Sequence, residues 1–117
     1  LDNGLEVLLV EDHSAPTVAI NVWYHVGGAN DPEGRSGFAH LFEHIISRKT
    51  ENMPYNMIYG LTADVGGTRN ASTGSDRTNY YETVPAAYLE TMLWTHRERM
   101  FKPVVAWPSR CISRNPL

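Results

Sequence analysis

TVAINVWYHV, residues 17–26, alternates between two faces: Val18, Ile20, Val22, Tyr24 and Val26 on one, Ala19, Asn21, Trp23 and His25 on the other. A period of two with one strongly apolar face is the pattern of a strand packed on a core. Upstream, LEVLLV (Leu5–Val10) is a short apolar run that reads as a buried strand. EDHSAP (Glu11–Pro16) between them is turn-like, so the two runs are expected to pair as a hairpin.

Downstream, Gly27–Gly37 carries four glycines and an Asp-Pro step, and reads as a loop. Its glycine spacing fits no phosphate-cradling motif, and Asp31 and Glu33 would repel phosphate. Helices are expected over Phe38–Arg48 and Tyr55–Val65, the second carrying Met57, Ile58, Leu61 and Val65 and stopping at Gly66-Gly67. Thr68–Thr73 and Thr78–Val84 are Thr/Tyr-rich strands around a turn at 74–77, where Asp76 and Arg77 are expected to pair. Pro85 suits a helix start, and Leu89, Met92, Leu93, His96 and Met100 mark one apolar stripe of a helix reaching Phe101. Trp23, Trp94 and Tyr80-Tyr81 are expected to pack in the core and sheet. The order β-β-α-α-β-β-α predicts an α+β fold, a mostly antiparallel sheet layered with helices. Residues 103–117, with three prolines and no sustained period, are expected to form an irregular tail.

With 42% apolar and 20% charged residues, the 117-residue chain has the composition of one globular domain. A net charge of −3 without a basic cluster argues against nucleic acid as a partner. No apolar run approaches the roughly 20 residues of a membrane-spanning helix, and no secretory leader is visible. Cys111 is the single cysteine, so no disulfide forms within the chain.

The chemistry concentrates in HLFEH, residues 40–44. At about 100° per residue, His40 and His44 lie one turn apart and about 40° apart around the helix, so their imidazoles can converge on one metal ion. Glu43 falls on the same side, while Phe38, Leu41, Phe42, Ile45 and Ile46 gather on the other. Zinc suits two neutral imidazoles and keeps a position for water in catalytic sites. A nearby unligated carboxylate then serves as general base, a role for which Glu43 is placed.

GFAHLFEHIISR after the Gly-rich loop, followed by GGTRNASTGSDRTNYYETVP, resembles the pitrilysin/insulinase family of zinc peptidases with the inverted HxxEH motif. Among its members the chain looks most similar to the bacterial branch related to the mitochondrial processing peptidases. The opening LDNGLEVLLVEDHSAPTVAINVWYHVG is similar to that family's first hairpin, so the resemblance runs from about Leu1 to Met100. It implies half of a processing-peptidase-type domain over residues 1–102, a zinc metalloendopeptidase activity, and a peptide or unfolded protein as substrate. It also implies that His40 and His44 bind the zinc, that Glu43 is the base, and that Asn70 and Ala71 lie on an edge strand that holds substrate by strand addition.

One departure matters. In the family the third zinc ligand is a Glu on a later helix, and counted from His44 that position falls beyond Leu117. Glu82, Glu90, Glu98 and His96 are the substitutes within the chain, and spacing selects none; the carboxylates are expected at strand ends or on helix surfaces and His96 in packing. The family's second, homologous domain is also missing from these residues, so the chain is expected to be a truncated version that self-associates or needs a partner domain. The alternative reading is a non-catalytic domain serving as a peptide-binding or assembly module.

Overall fold

A computed structural model describes residues 1–104. Its elements are β1 (Thr17–Tyr24), α1 (Phe38–Ile46), α2 (Met57–Asp64), β2 (Thr68–Thr73), β3 (Thr78–Pro85) and α3 (Leu89–Phe101), with short 3-10 turns at Gly28–Asn30 and Ala86–Tyr88. The strands form one antiparallel sheet in the order β1-β3-β2. This is the α+β architecture expected. The expected tail falls mostly on residues outside the described ones, as does Cys111; Pro103 still bridges to Thr50.

β3 is central because it pairs on both sides: Thr17 pairs with Pro85 through to Tyr24 with Thr78, and Thr68 with Thr83 through to Thr73 with Thr78. Its inward face carries Tyr80, Glu82 and Val84, all buried. Ile58 from α2, Met92 from α3 and Met53 from the connector complete the apolar core. Tyr24 meets Tyr80 edge-on, with ring centroids 5.7 Å apart.

Four expectations change. The run Leu5–Val10 forms no strand and no hairpin; Leu8, Leu9 and Val10 are 83%, 90% and 90% exposed. A strand needs a ladder and a surface to cover, and among the described residues no strand pairs with this run; the bonds Ser14 N–H to Asp12 and His13 to Glu11 stay within the connector that follows it. α2 starts at Met57 rather than Tyr55, because Asn56 turns the chain with φ 61°. α3 buries Met92, Thr95, His96, Glu98 and Arg99, whereas Leu93 and Met100 of the expected stripe are 49% and 38% exposed. The helix is turned this way because β3 offers it the carboxylate of Glu82, with which His96 pairs at 2.9 Å. Trp23 lies 59% exposed on the outer sheet face, under the guanidinium of Arg77.

The loop entering α1 is docked on the β2–β3 turn. Gly28 N–H donates to the Gly74 carbonyl at 2.9 Å and Ala29 N–H to the Ser75 carbonyl at 2.7 Å. This approach requires glycine at 27: a Cβ there would stand 2.4 Å from the Gly74 carbonyl oxygen and 2.6 Å from Arg77 N. Both obstacles are backbone, so relief requires the loop to lift. Gly27→Ala is expected to destabilise the fold by about 1–3 kcal/mol, the range of overpacked interiors. Urea unfolding measures this, and an unchanged midpoint would show that the loop is not held there.

Candidate functional site

The site begins with how α1 starts. Gly37 precedes it in a left-handed conformation, φ 90°, and offers no side chain to cap the helix. Asp31 does so from across the loop. Its Oδ2 accepts from Gly37 N (2.7 Å) and Phe38 N (3.2 Å), and its Oδ1 from Ala39 N (2.8 Å). Those amides, Ala39 first, hold the Asp31 carboxyl below the usual aspartate range. A negative charge at a helix N-terminus is favourable, and this one fixes the turn that carries His40.

The helix then presents His40, Glu43 and His44 together. Their ligand atoms all lie within 4.8 Å of one another, and among the described residues this is the one group of three such side chains. The two Nε2 atoms are 3.0 Å apart. Tetrahedral zinc with Zn–N bonds of about 2.0–2.1 Å spans roughly 3.3 Å between two nitrogens, so the pair fits the ion with a small rotation. Both imidazoles are exposed, while Glu43 is buried.

Glu43 is also anchored. Thr73 Oγ1–H donates to its Oε2 at 2.5 Å, tying the carboxylate to the end of β2. Oε1 has no hydrogen-bond partner among the described residues. The pocket over the helix, about 650 Å³, is walled by His40, Glu43 and His44 on one side and by Asn70–Gly74 on the other. Asn70 and Ala71 line this pocket from the edge strand β2; Asn70 Oδ1 also accepts from Ala71 N at 2.9 Å.

The four candidate third ligands are not in this group. Glu90 is exposed on α3. Glu82 and Glu98 are buried, against the expectation of surface positions, because each has partners: Glu82 faces His96, and Glu98 accepts from Asn52 at 2.9 Å. His96 is packed, as expected, at 4% exposure. Asp76 and Arg77 do not pair; Arg77 donates instead to Ser72 and Asn79.

The roles of Asp31 as helix cap and of Thr73 as anchor of Glu43 are not among the sequence expectations. Asp31 had a faint signal, an acid placed shortly before a helix start that lacks its own cap. Thr73 had none, since it meets Glu43 from 30 positions away.

Residues 6–105 match the family profile described as insulinase, peptidase family M16. The chain is 34% identical over 101 residues to the zinc protease PqqE of Helicobacter pylori, covering 86% of this chain and 23% of that protein. It is 33% identical over 107 residues to the peroxisomal insulin-degrading enzyme-like 1 of Arabidopsis thaliana, covering 91% of this chain and 11% of the relative. The chain thus spans about a tenth to a quarter of these relatives' lengths. The crystal structure of pitrilysin superposes with a TM-score of 0.83 at 31% identity, over 91% of this chain and 11% of that one.

Proposed function

The chain belongs to the insulinase family, peptidase family M16, and from that premise we propose that its HxxEH helix is the metal-binding part of a zinc metalloendopeptidase. The observation that carries this is the convergence of His40, Glu43 and His44 within 4.8 Å beside an open strand edge.

His40 and His44 would hold the zinc through Nε2. When bound, the ion supplies Lewis acidity toward the attacking water and the scissile carbonyl. The residues of the chain do the rest. Glu43, held at Oε2 by Thr73, keeps Oε1 for proton transfer. It takes a proton from the attacking water and returns it to the departing amine nitrogen. β2 receives the peptide along its open edge at Asn70 and Ala71, through backbone hydrogen bonds that tolerate varied side chains. The substrate class is therefore a peptide or an unfolded protein segment.

The reading leaves the third ligand open: among the described residues no further side chain joins His40, Glu43 and His44. The exposed run Leu5–Val10 adds an apolar surface for assembly with a partner domain or a second copy. The presence of two imidazoles and one base, with no further ligand among the described residues, favours one second reading: a peptide-binding module of the same fold.

The test is metal content. Purified protein is expected to hold one divalent ion, and changing His40 and His44 together to Ala is expected to remove it. Elemental analysis decides; unchanged stoichiometry in the double variant would sink the assignment.

A further inference from the structure

Arg77 occupies an unusual position on the open face of the sheet. It follows the β2–β3 turn, and its side chain lies back along one cross-strand row. In that row Trp23 of β1 faces Asn79 of β3, and Asn79 faces Ser72 of β2. The Arg77 guanidinium stands 5.0 Å from the Trp23 ring centroid. Its Nη1 donates to Asn79 Oδ1 at 2.7 Å and to Ser72 Oγ at 2.8 Å. Ser72 Oγ and Asn79 Oδ1 are themselves 2.6 Å apart. The cation is thus fixed by three strands, and its partners are neutral. No carboxylate lies within ion-pair distance of it among the described residues, Asp76 included.

The row has one more place. β2 is the sheet edge, so the next position beyond Ser72 belongs to whatever strand adds there. Directly opposed residues on neighbouring strands have Cβ atoms about 4.5–5.5 Å apart and share a face. A Glu side chain at that position would point along the open face toward the Arg77 guanidinium, whose Nη2 and Nε donors carry no hydrogen bond among the described residues. Guanidinium and carboxylate match in geometry, and the stacking on Trp23 removes most of the ordering cost.

We propose that Arg77 is a specificity-determining residue that makes this chain select peptides with an acidic side chain at the position opposite Ser72. The proposal rests on the reading of β2 as the substrate strand and adds to it a sign of charge and a register. Substrates are then peptides carrying an Asp or Glu at one fixed distance from the bond above the HxxEH helix.

The experiment uses the full chain with Glu43→Gln, so that bound peptide stays intact. Fluorescently labelled unstructured peptides carry Glu, Gln or Lys in turn at each position, and anisotropy gives their affinities at low and high salt. Glu at one position is expected to bind about two- to fivefold tighter than Gln, the range of a partly exposed ion pair, with the advantage fading in salt. Arg77→Gln is expected to erase the difference, and Arg77→Glu to turn the preference to Lys. Arg97→Gln, which removes an equal charge from a 61% exposed side chain on α3, is expected to leave the Glu preference in place. A Glu advantage at no position, or one that survives Arg77→Gln, overturns the assignment while leaving strand addition standing. Absence of binding by every peptide overturns both.

Discussion

Glu43→Gln is expected to lower hydrolysis of unstructured peptides by about 10²–10⁴-fold, the contribution of a positioned general base, while metal content stays near wild type. The substitution preserves size and leaves an amide oxygen to accept from Thr73, so the anchor at Oε2 survives. What it removes is the carboxylate that, among the described residues, stands with His40 and His44 and could take a proton from water. A carboxylate fixed by a strand hydroxyl loses little to reorientation, so nearly all of the loss should appear in kcat rather than KM. Single-turnover assays with and without chelator measure it. Equal activity in the variant would remove Glu43 from the chemistry. A wild-type chain without chelator-sensitive hydrolysis would instead support the peptide-binding module.

The second large effect lies away from the pocket, under α3. Glu82, His96 and Arg99 are 3%, 4% and 3% exposed, and Arg69 reaches into the same space from β2. Burial alone would raise the Glu82 carboxyl, but His96 and the charges of Arg69 and Arg99 outweigh it and leave it below 4.5. Burial pushes the His96 imidazole below 6.5, and the charge of Arg99 adds to this against the opposing pull of Glu82. Burial also pushes Arg99 down to about 10. Nη1 of both Arg69 and Arg99 is buried without a hydrogen-bond partner; Glu82, paired with His96, lies beyond ion-pair distance of both guanidiniums but is the carboxylate whose charge opposes theirs.

Replacing Glu82 by Gln leaves those cations uncompensated and is expected to cost about 3–5 kcal/mol, a large share of a domain's usual stability. The pH dependence has a definite sign. Both groups titrate lower in the folded state than in the unfolded one, so on acidification the unfolded chain takes up protons first. Stability should therefore fall as pH drops below 6.5 for His96, and again below 4.5 for Glu82, and the second decline should vanish in the variant. Urea titrations across this range test both statements. A Glu82→Gln chain within about 1 kcal/mol of wild type would mean that the arginines find compensation elsewhere.

The grouping of His40, Glu43 and His44 was legible because its geometry is local: two histidines at i and i+4 must share a face wherever the helix packs. β1, β2 and β3 were legible for a similar reason, each carrying alternation or Thr/Tyr enrichment over its own length. The proposal for Asn70 and Ala71 rests on the family resemblance, since an ordinary polar strand reads the same way. Apart from the start of α2, set by the φ of Asn56, the failures are non-local. Leu5–Val10 has the composition of a strand but no partner to complete one. The apolar stripe assigned to α3 ignored that Glu82, a strand residue, would draw His96 inward and turn the helix about its axis. Arg77 was assigned to its sequence neighbour Asp76, whereas the ladder register places Ser72 and Asn79 within its reach.

The central position of β3 also dictates an order of events during synthesis. β2 and β3 are joined by a tight turn, and a hairpin of this kind closes in about 1–10 μs once both strands exist. β1 has no such neighbour. Its ladder runs from Thr17 with Pro85 to Tyr24 with Thr78, so it emerges early and must wait until the other side of the sheet has been translated. Throughout that interval Val18, Ile20 and Val22 lack the surface they will cover, and the apolar run before them is bare as well. The nascent chain therefore passes through a stage in which its stickiest segments are complete and its template is not, the circumstance in which chaperones bind.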